Sequence, residues 1–293
     1  MNATDETLRP PAANTRREQP NDRIARATRL LCVVIVPFLA AAFYILYLRP
    51  GETLELFAWP IKPSMSARML AAAYAGGIFF FTRAALSQKW HHIKAGFLPV
   101  TAFASAMGIA TFLHWDKFTH DHIAFYTWLV LYVTTPFLVL AAYLRNRRAD
   151  PGTPDTGDLV FNRSIRYGLA AVGLITIVVG TLLFLFPEFM ITVWPWSLTP
   201  LTARVVGGMF ALPGLVGLVM AADPRWSSAR ITLQSQIFSI AFILLASALS
   251  WADFNPSAPA TWLFVGSLAF LLVTLPLLYV GMEYRLAATR SKA

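Results

Sequence analysis

Three histidines and two carboxylates stand within nine residues of one segment, His114-Trp-Asp116-Lys-Phe-Thr-His120-Asp121-His122. Imidazole and carboxylate groups are ligands that zinc takes in proteins, so His114, Asp116, His120 and His122 are candidate ligands for a divalent metal. Imidazole also titrates near pH 6.5, which makes a proton-responsive patch the second interpretation. The third is a solvated connector, because loops are polar anyway. The spacing matches no standard zinc motif, so all three interpretations stay open.

A second set of candidates lies in or beside apolar runs, where charged side chains are costly and often functional. Arg68 and Arg204 follow similar Trp-Pro segments and together form a candidate anion site, or they anchor helix ends at the membrane interface. Arg83 lies about one turn inside its apolar run and either snorkels or contacts a ligand. Gln234 and Gln236 make the seventh run the most polar, facing a solute or buried against neighbouring helices.

The elements that must position these residues are transmembrane helices. Hydrophobic residues make up 57% of the 293-residue chain and charged residues only 13%, about half the usual share of a soluble domain. Apolar runs of about 20 residues span a bilayer as helices. The single cysteine, Cys32, lies in the first run and excludes an internal disulfide framework. The predicted spans are 30–48, 67–86, 95–113, 123–144, 167–186, 205–222, 231–249 and 262–282.

The chain repeats itself at an offset of about 136 residues. Trp59-Pro60 matches Trp194-Pro195, and Ala67-Arg68 matches Ala203-Arg204. Other matches pair Lys89-Trp90 with Arg225-Trp226 and Trp115 with Trp251. All five histidines lie in the first half, where Ser227-Ser228 stands opposite His91-His92 and Ser250 opposite His114. The predicted fold is therefore all-α, an integral membrane bundle of eight helices built as a tandem parallel repeat of a four-helix unit.

Domain boundaries follow from the spans. We expect a disordered cytoplasmic tail at 1–29, a first four-helix unit at 30–144, a cytoplasmic linker at 145–166, a second unit at 167–283 and a cytoplasmic tail at 284–293. Nineteen of the 24 basic residues fall on the side of the two tails. Basic residues favour the cytoplasmic side, so both termini are predicted there. This distribution explains the net charge of +9 without a nucleic-acid partner.

Two segments, Phe57-Ala-Trp-Pro-Ile-Lys-Pro-Ser-Met65 and His114-Trp-Asp-Lys-Phe118, resemble motifs of uncharacterised bacterial multi-pass membrane proteins. The resemblance implies a bacterial inner-membrane setting and attaches no activity. The chain contains no phosphate-binding loop, no His-Glu-x-x-His and no Gly-x-Ser-x-Gly motif, which argues against ATP hydrolysis and common hydrolase chemistry.

Three functions remain open from the sequence. The first is binding or permeation of a small solute or ion at the interface of the two repeats, as in other duplicated transporters. The second is a membrane metal-binding protein or enzyme that uses the loop from His114 to His122. The third is a non-catalytic scaffold with an oligomeric or membrane-complex partner. Of these, the first is the leading hypothesis, with the lipid bilayer as the surrounding medium.

Overall fold

A computed structural model describes residues 21–291, which contain ten α-helices. The helices are joined by turns, by short 3-10 and π-helical segments, and by one longer linker, residues 147–162. Eight of the helices are long and apolar enough to cross a membrane, which confirms the predicted class. Within the described residues β pairing is limited to three isolated bridges. The helices are α1 Arg26–Phe43, α2 Thr53–Leu56, α3 Ser64–Leu86, α4 Phe97–Leu113, α5 Ile123–Asn146, α6 Arg163–Leu185, α7 Pro187–Val193, α8 Pro200–Ala222, α9 Trp226–Leu249 and α10 Pro259–Arg290.

The helix ends extend further than the apolar runs. Helix α1 starts four residues before the run at 30–48, and α10 continues to Arg290. Asp22 and Arg23 precede α1 and bond to the segment after α3, so residues 22–29 are not a loose tail. The remainder of the predicted N-terminal tail, residues 1–20, lies outside the described residues. The short helices α2 and α7 precede the non-helical segments that contain Trp59-Pro60 and Trp194-Pro195.

Successive spanning helices alternate in direction and give the molecule two polar ends. The terminal side holds the start of α1 and the end of α10. The distal side holds the turns between α4 and α5 and between α9 and α10.

Helix packing crosses the boundary between the two sequence halves. Helix α3 packs against α1 and against α9, while α8 packs against α6 and against α4. Helix α5 lies on α4, and α10 lies on α9. The second spanning helix of each half, α3 or α8, therefore contacts the other half as well as its own. Contacts of α3 with α9 and of α4 with α8 therefore join residues 30–144 to residues 167–283.

The closest helix pair is α6 with α8. A Cβ atom at Gly207 would lie 2.6 Å from the carbonyl oxygen of Gly180, and one at Gly180 would lie 2.8 Å from that of Gly207. Only glycine permits this approach of two backbones, as in other membrane helix pairs. The corresponding pair α1 and α3 is less tight, because the nearest atom to a Cβ at Gly77 is a side-chain methyl of Leu39.

Candidate functional site

The distal histidine loop, residues 114–122, does not form one ligand set. The ring of His120 lies between Trp115 and Phe125, with centroids 5.1 and 4.7 Å away. His122 precedes α5, and its Nδ1 accepts a hydrogen bond from the backbone N–H of Ala124 at 3.1 Å. One histidine therefore packs in an aromatic box and the other caps a helix.

The remaining two candidates of this loop also have separate partners. Nε2 of His114 lies 2.6 Å from Nη1 of Arg204. Burial and the Arg204 guanidinium lower the pKa of His114, so the neutral imidazole accepts the hydrogen bond. Asp116 pairs with Lys117 at 2.7 Å on the surface. The convergence that a metal site requires is not met by His114, Asp116, His120 and His122.

Arg68 and Arg204 bind helix ends of the opposite half. Nη1 of Arg68 donates to the hydroxyl of Ser250 and, at 3.2 Å, to the carbonyl of Leu249, at the C-terminus of α9. Arg204 reaches His114 at the C-terminus of α4. The negative end of a helix favours such cations. Nη1 of each guanidinium thus joins the two halves.

The other membrane candidates face different surroundings. Nε2 of Gln234 donates to the hydroxyl of Tyr279 on α10 at 2.7 Å. Gln236 is half-buried and makes no hydrogen bond within residues 21–291. Arg83 is exposed and its guanidinium lies 5.9 Å from the ring centre of Phe79. The structure does not gather these three residues around one central cavity.

A compact cluster of potential metal ligands lies instead on the terminal side. One nitrogen of His91, one of His92 and a carboxylate oxygen of Asp155 lie within 4.8 Å of one another. Oδ2 of Asp155 is 3.6 Å from Nε2 of His91 and 3.3 Å from Nε2 of His92. Among the described residues, it is the one such group of three.

His91 is held from both sides. It is fully buried, its Nδ1 lies 2.5 Å from Oδ2 of Asp22, and its backbone N–H donates to Oδ1 of the same carboxylate. Its Nε2 lies 3.0 Å from the hydroxyl of Ser227 in the first turn of α9, and that hydroxyl donates to Asp158 at 2.6 Å. The Asp22 contact fixes the ring so that Nε2 faces both Ser227 and Asp155.

A buried ion-pair network fixes the linker that carries Asp155. Both terminal nitrogens of Arg225 donate to the carboxylate of Asp150 at 2.8 Å, and Nη2 also donates to Asp223 at 2.7 Å. Lys94 lies 2.5 Å from Asp150 and 2.8 Å from Asp223. Although burial opposes ionisation, these cations lower the pKa of both carboxyl groups far below the usual range. The charged network pins residues 150–155 against the start of α9.

The pKa values of His92 and Asp155 are both shifted towards the protonation states that metal ligands need. Burial and the neighbouring His91 lower the pKa of His92, which favours the neutral ring that binds metals. Burial would raise the pKa of Asp155, but hydrogen bonds from Lys89 and His92 outweigh it and lower the pKa. A cavity of about 130 Å³ adjoins the cluster, with His92, Asp155 and Ser227 in its wall.

Asp22, His91 and Ser227 also satisfy the distances of a carboxylate, base and nucleophile. A nucleophilic serine must pass its proton to the histidine. Here the hydroxyl of Ser227 is closer to Asp158, and that carboxylate also accepts the backbone N–H of Ser227. The Ser227 hydroxyl is therefore already bonded to Asp158 at the start of α9. A metal site explains the positions of His91, His92 and Asp155, whereas a catalytic triad would involve His91 alone of these three.

The sequence contained one signal for this site. His91 and His92 stand where the second half has serines, and Asp22 stands about 136 residues before Asp158. No family model, curated protein or solved structure matches the chain. The site is therefore interpreted from its own geometry.

Proposed function

We propose that this chain is an eight-span membrane protein that binds a divalent transition-metal ion on its terminal side, through His91, His92 and Asp155. The convergence of these three side chains is the observation that carries the proposal. Asp22 strengthens it, because histidines that bind metals nearly always give their other ring N–H to a carboxylate, carbonyl or water.

The donor set favours zinc or a similar ion. Two imidazole nitrogens and one carboxylate oxygen suit Zn²⁺, Fe²⁺ or Co²⁺, whereas Ca²⁺ and Mg²⁺ prefer oxygen donors alone. Tetrahedral zinc with bonds of about 2.0–2.1 Å separates its ligands by roughly 3.3 Å. The distances from Asp155 to the two histidines, 3.6 and 3.3 Å, are close to that separation. Ser227 or a water molecule would supply the fourth donor.

The test is the metal content of the purified full-length protein. We expect zinc at about one ion per chain, reduced to background by the double substitution His92→Ala with Asp155→Ala. His120→Ala with His122→Ala is the matched control, since it removes two histidines from the distal loop and should leave the content unchanged. Equal zinc in the native chain and in the His92 and Asp155 variant would reject the proposal.

The proposed site also specifies the ligand in the hypothesis of a small solute or ion bound at the repeat interface, because the ligand would be the metal ion. In a tandem parallel repeat, His91 and Ser227 are equivalent positions, and these two side chains contact each other. Equivalent backbone contacts support the repeat. The bridge between Arg23 and Lys89 corresponds to that between Val160 and Arg225. A metal at His91 would lie where the two halves meet, so we propose the ion as the ligand of that interface.

We further propose that the terminal side faces the cytoplasm. The support is the excess of basic residues on that side, 19 of 24. The metal site would then be open to the cytoplasm. A reporter that is active only outside the cytoplasm, fused after Ala293, should give no signal, and a strong signal would reject this orientation.

A further inference from the structure

An apolar groove between α1, α3 and α9 opens at the surface of the spanning region. It has a volume of about 390 Å³, within the usual range of ligand pockets. Its walls are aromatic and aliphatic, formed by Phe43, Ala75, Ile78, Phe79, Phe238 and Phe242. Such a surface suits a hydrocarbon chain.

The groove ends at a cation. Arg83 lies in the last turn of α3 and lines both this groove and the polar cavity on the terminal side. The distance along α3 from Ala75 to Arg83 is roughly 12 Å, at about 1.5 Å per residue. Arg83 forms no ion pair with any residue in the described part of the chain, so its guanidinium donors are available to a ligand.

A second guanidinium lines the polar cavity. Arg230 pairs with Glu283 through one terminal nitrogen, but its buried Nε has no hydrogen-bond partner within residues 21–291. His92 and Ser227 lie in the same wall. Asp155 and Asp158 lie in this wall as well, where Asp155 pairs with Lys89 and Asp158 accepts from Ser227. The groups of the combined site that suit a phosphate are therefore the guanidinium groups of Arg83 and Arg230.

The equivalent region of the other half lacks these features. At the offset of about 136 residues, Val219 replaces Arg83, while Ala102 and Ala106 replace Phe238 and Phe242. Helices α6 and α8 also approach closely there, since a Cβ atom at Gly217 would lie 2.7 Å from the carbonyl oxygen of Leu169. The groove and its cation thus belong to one side of the molecule and are not required by the shared architecture.

We propose that this groove binds an anionic phospholipid, with an acyl chain along α3 and α9 and the phosphate at Arg83. Basic pockets between spanning helices recognise anionic headgroups in this way. Arg83 and the groove are not metal ligands, although the polar cavity that Arg83 also lines contains His92 and Asp155 of the proposed metal site.

The experiment compares two lipids on the full-length protein. Nanodiscs of phosphatidylcholine with and without phosphatidylglycerol are prepared, and the lipids that remain bound after extraction in detergent are measured by native mass spectrometry. We expect preferential retention of phosphatidylglycerol, lowered about fivefold by Arg83→Gln, the loss of one cation near an anionic headgroup. Arg83→Lys should retain most of the preference.

Two further variants separate the groove from general surface charge. Arg145→Gln removes another terminal-side cation, on α5, and should leave the preference unchanged. Thr82→Trp adds bulk to the groove from an exposed position and should lower retention while Arg83 remains. The melting temperature, measured on the same samples, should stay close to the native value in every variant and shows that each has folded.

Equal retention by the native protein and Arg83→Gln would overturn the proposal, as would equal losses in Arg83→Gln and Arg145→Gln. Unchanged retention in Thr82→Trp would overturn the assignment of the groove to the acyl chain. Inorganic phosphate is added to the lipid-free protein as the last arm. If it raises the melting temperature through Arg83, the ligand is free phosphate and the lipid assignment is wrong.

Discussion

Two clusters of histidines show why density along the chain is a poor guide to a metal site. The distal loop holds three imidazoles in nine residues, yet each side chain contacts a different neighbour: an aromatic box, a helix end or Arg204. The terminal cluster draws its ligands from segments far apart in sequence, and they converge because α3, α9 and the linker meet there. Convergence is thus a property of helix packing.

The largest loss of stability should come from breaking the ion pairs between Arg225 and the linker. The Arg225 side chain is only 5% exposed and holds Asp150 and Asp223, so Arg225→Ala leaves two largely buried carboxylates with Lys94 as their one remaining cation among the described residues. We expect a loss of about 3–5 kcal/mol in the free energy of unfolding. Zinc should be lost with it, because Asp155 follows the released segment.

Thermal unfolding in detergent and zinc content measure the two outcomes together. Arg147→Ala is the matched control, since Arg147 is exposed in the same linker. A variant of Arg225 that keeps both its stability and its zinc would show that the linker is positioned by other contacts.

The next effect concerns the residue that positions His91. Asp22→Asn keeps the shape of the side chain but weakens the bond to Nδ1, and such changes behind a metal ligand lower affinity about 10–100-fold. Titration with zinc against a competing chelator gives the ratio of affinities. Asp116→Asn on the distal loop should leave the affinity unchanged. An unaltered affinity in Asp22→Asn would mean that His91 is not a ligand.

A smaller effect is the pH dependence of stability that His114 in the distal loop should produce. The pKa of His114 is lowered in the folded protein, so the unfolded chain binds its proton more readily as pH falls. The contribution of His114 to stability is therefore present above about pH 6.5 and is lost below it. The charged groups near this ring are Arg204, Asp116 and Lys117.

Melting temperatures at pH 7.5 and pH 5.5 test this expectation. His114→Asn should flatten the difference between the two temperatures, because amide groups do not titrate in this range. A difference as large in the variant as in the native protein would assign the pH dependence to other groups.

The smallest effect concerns His122. His122→Ala removes a bond at the start of α5 and should cost about 1 kcal/mol, the usual value for a helix cap. His122→Asn should restore most of it, because asparagine caps helices well. Chemical denaturation measures both variants, and their zinc content should match the native chain. A loss of zinc in His122→Ala would restore the distal loop as a metal site.

The sequence predicted the eight helices because hydrophobic length alone identifies a span. It also indicated that Arg68 and Arg204 are equivalent, and each contacts the C-terminus of a helix from the other half. What it could not supply was the partner of each side chain. Asp155 is separated from His92 by a whole pair of spanning helices, and only the packing of the linker brings them within 3.3 Å.

The sequence also could not reveal the partners of the acidic residues in the polar linker. The sequence predicted a linker at residues 145–166, and Gly152 and Gly157 within it adopt positive φ. Its acidic residues have no periodicity that would reveal their partners. Asp150 contacts Arg225 and Asp158 contacts Ser227 because the linker packs against the start of α9.

The metal site is tested most directly by X-ray absorption at the zinc edge of the full-length protein. We predict a first shell of light atoms near 2.0–2.1 Å, with the outer-shell scattering of two imidazoles. The imidazole scattering should disappear with the bound zinc in His91→Ala with His92→Ala and persist in His120→Ala with His122→Ala. The account would be contradicted by a native protein without zinc, or by imidazole scattering that disappears with His120 and His122.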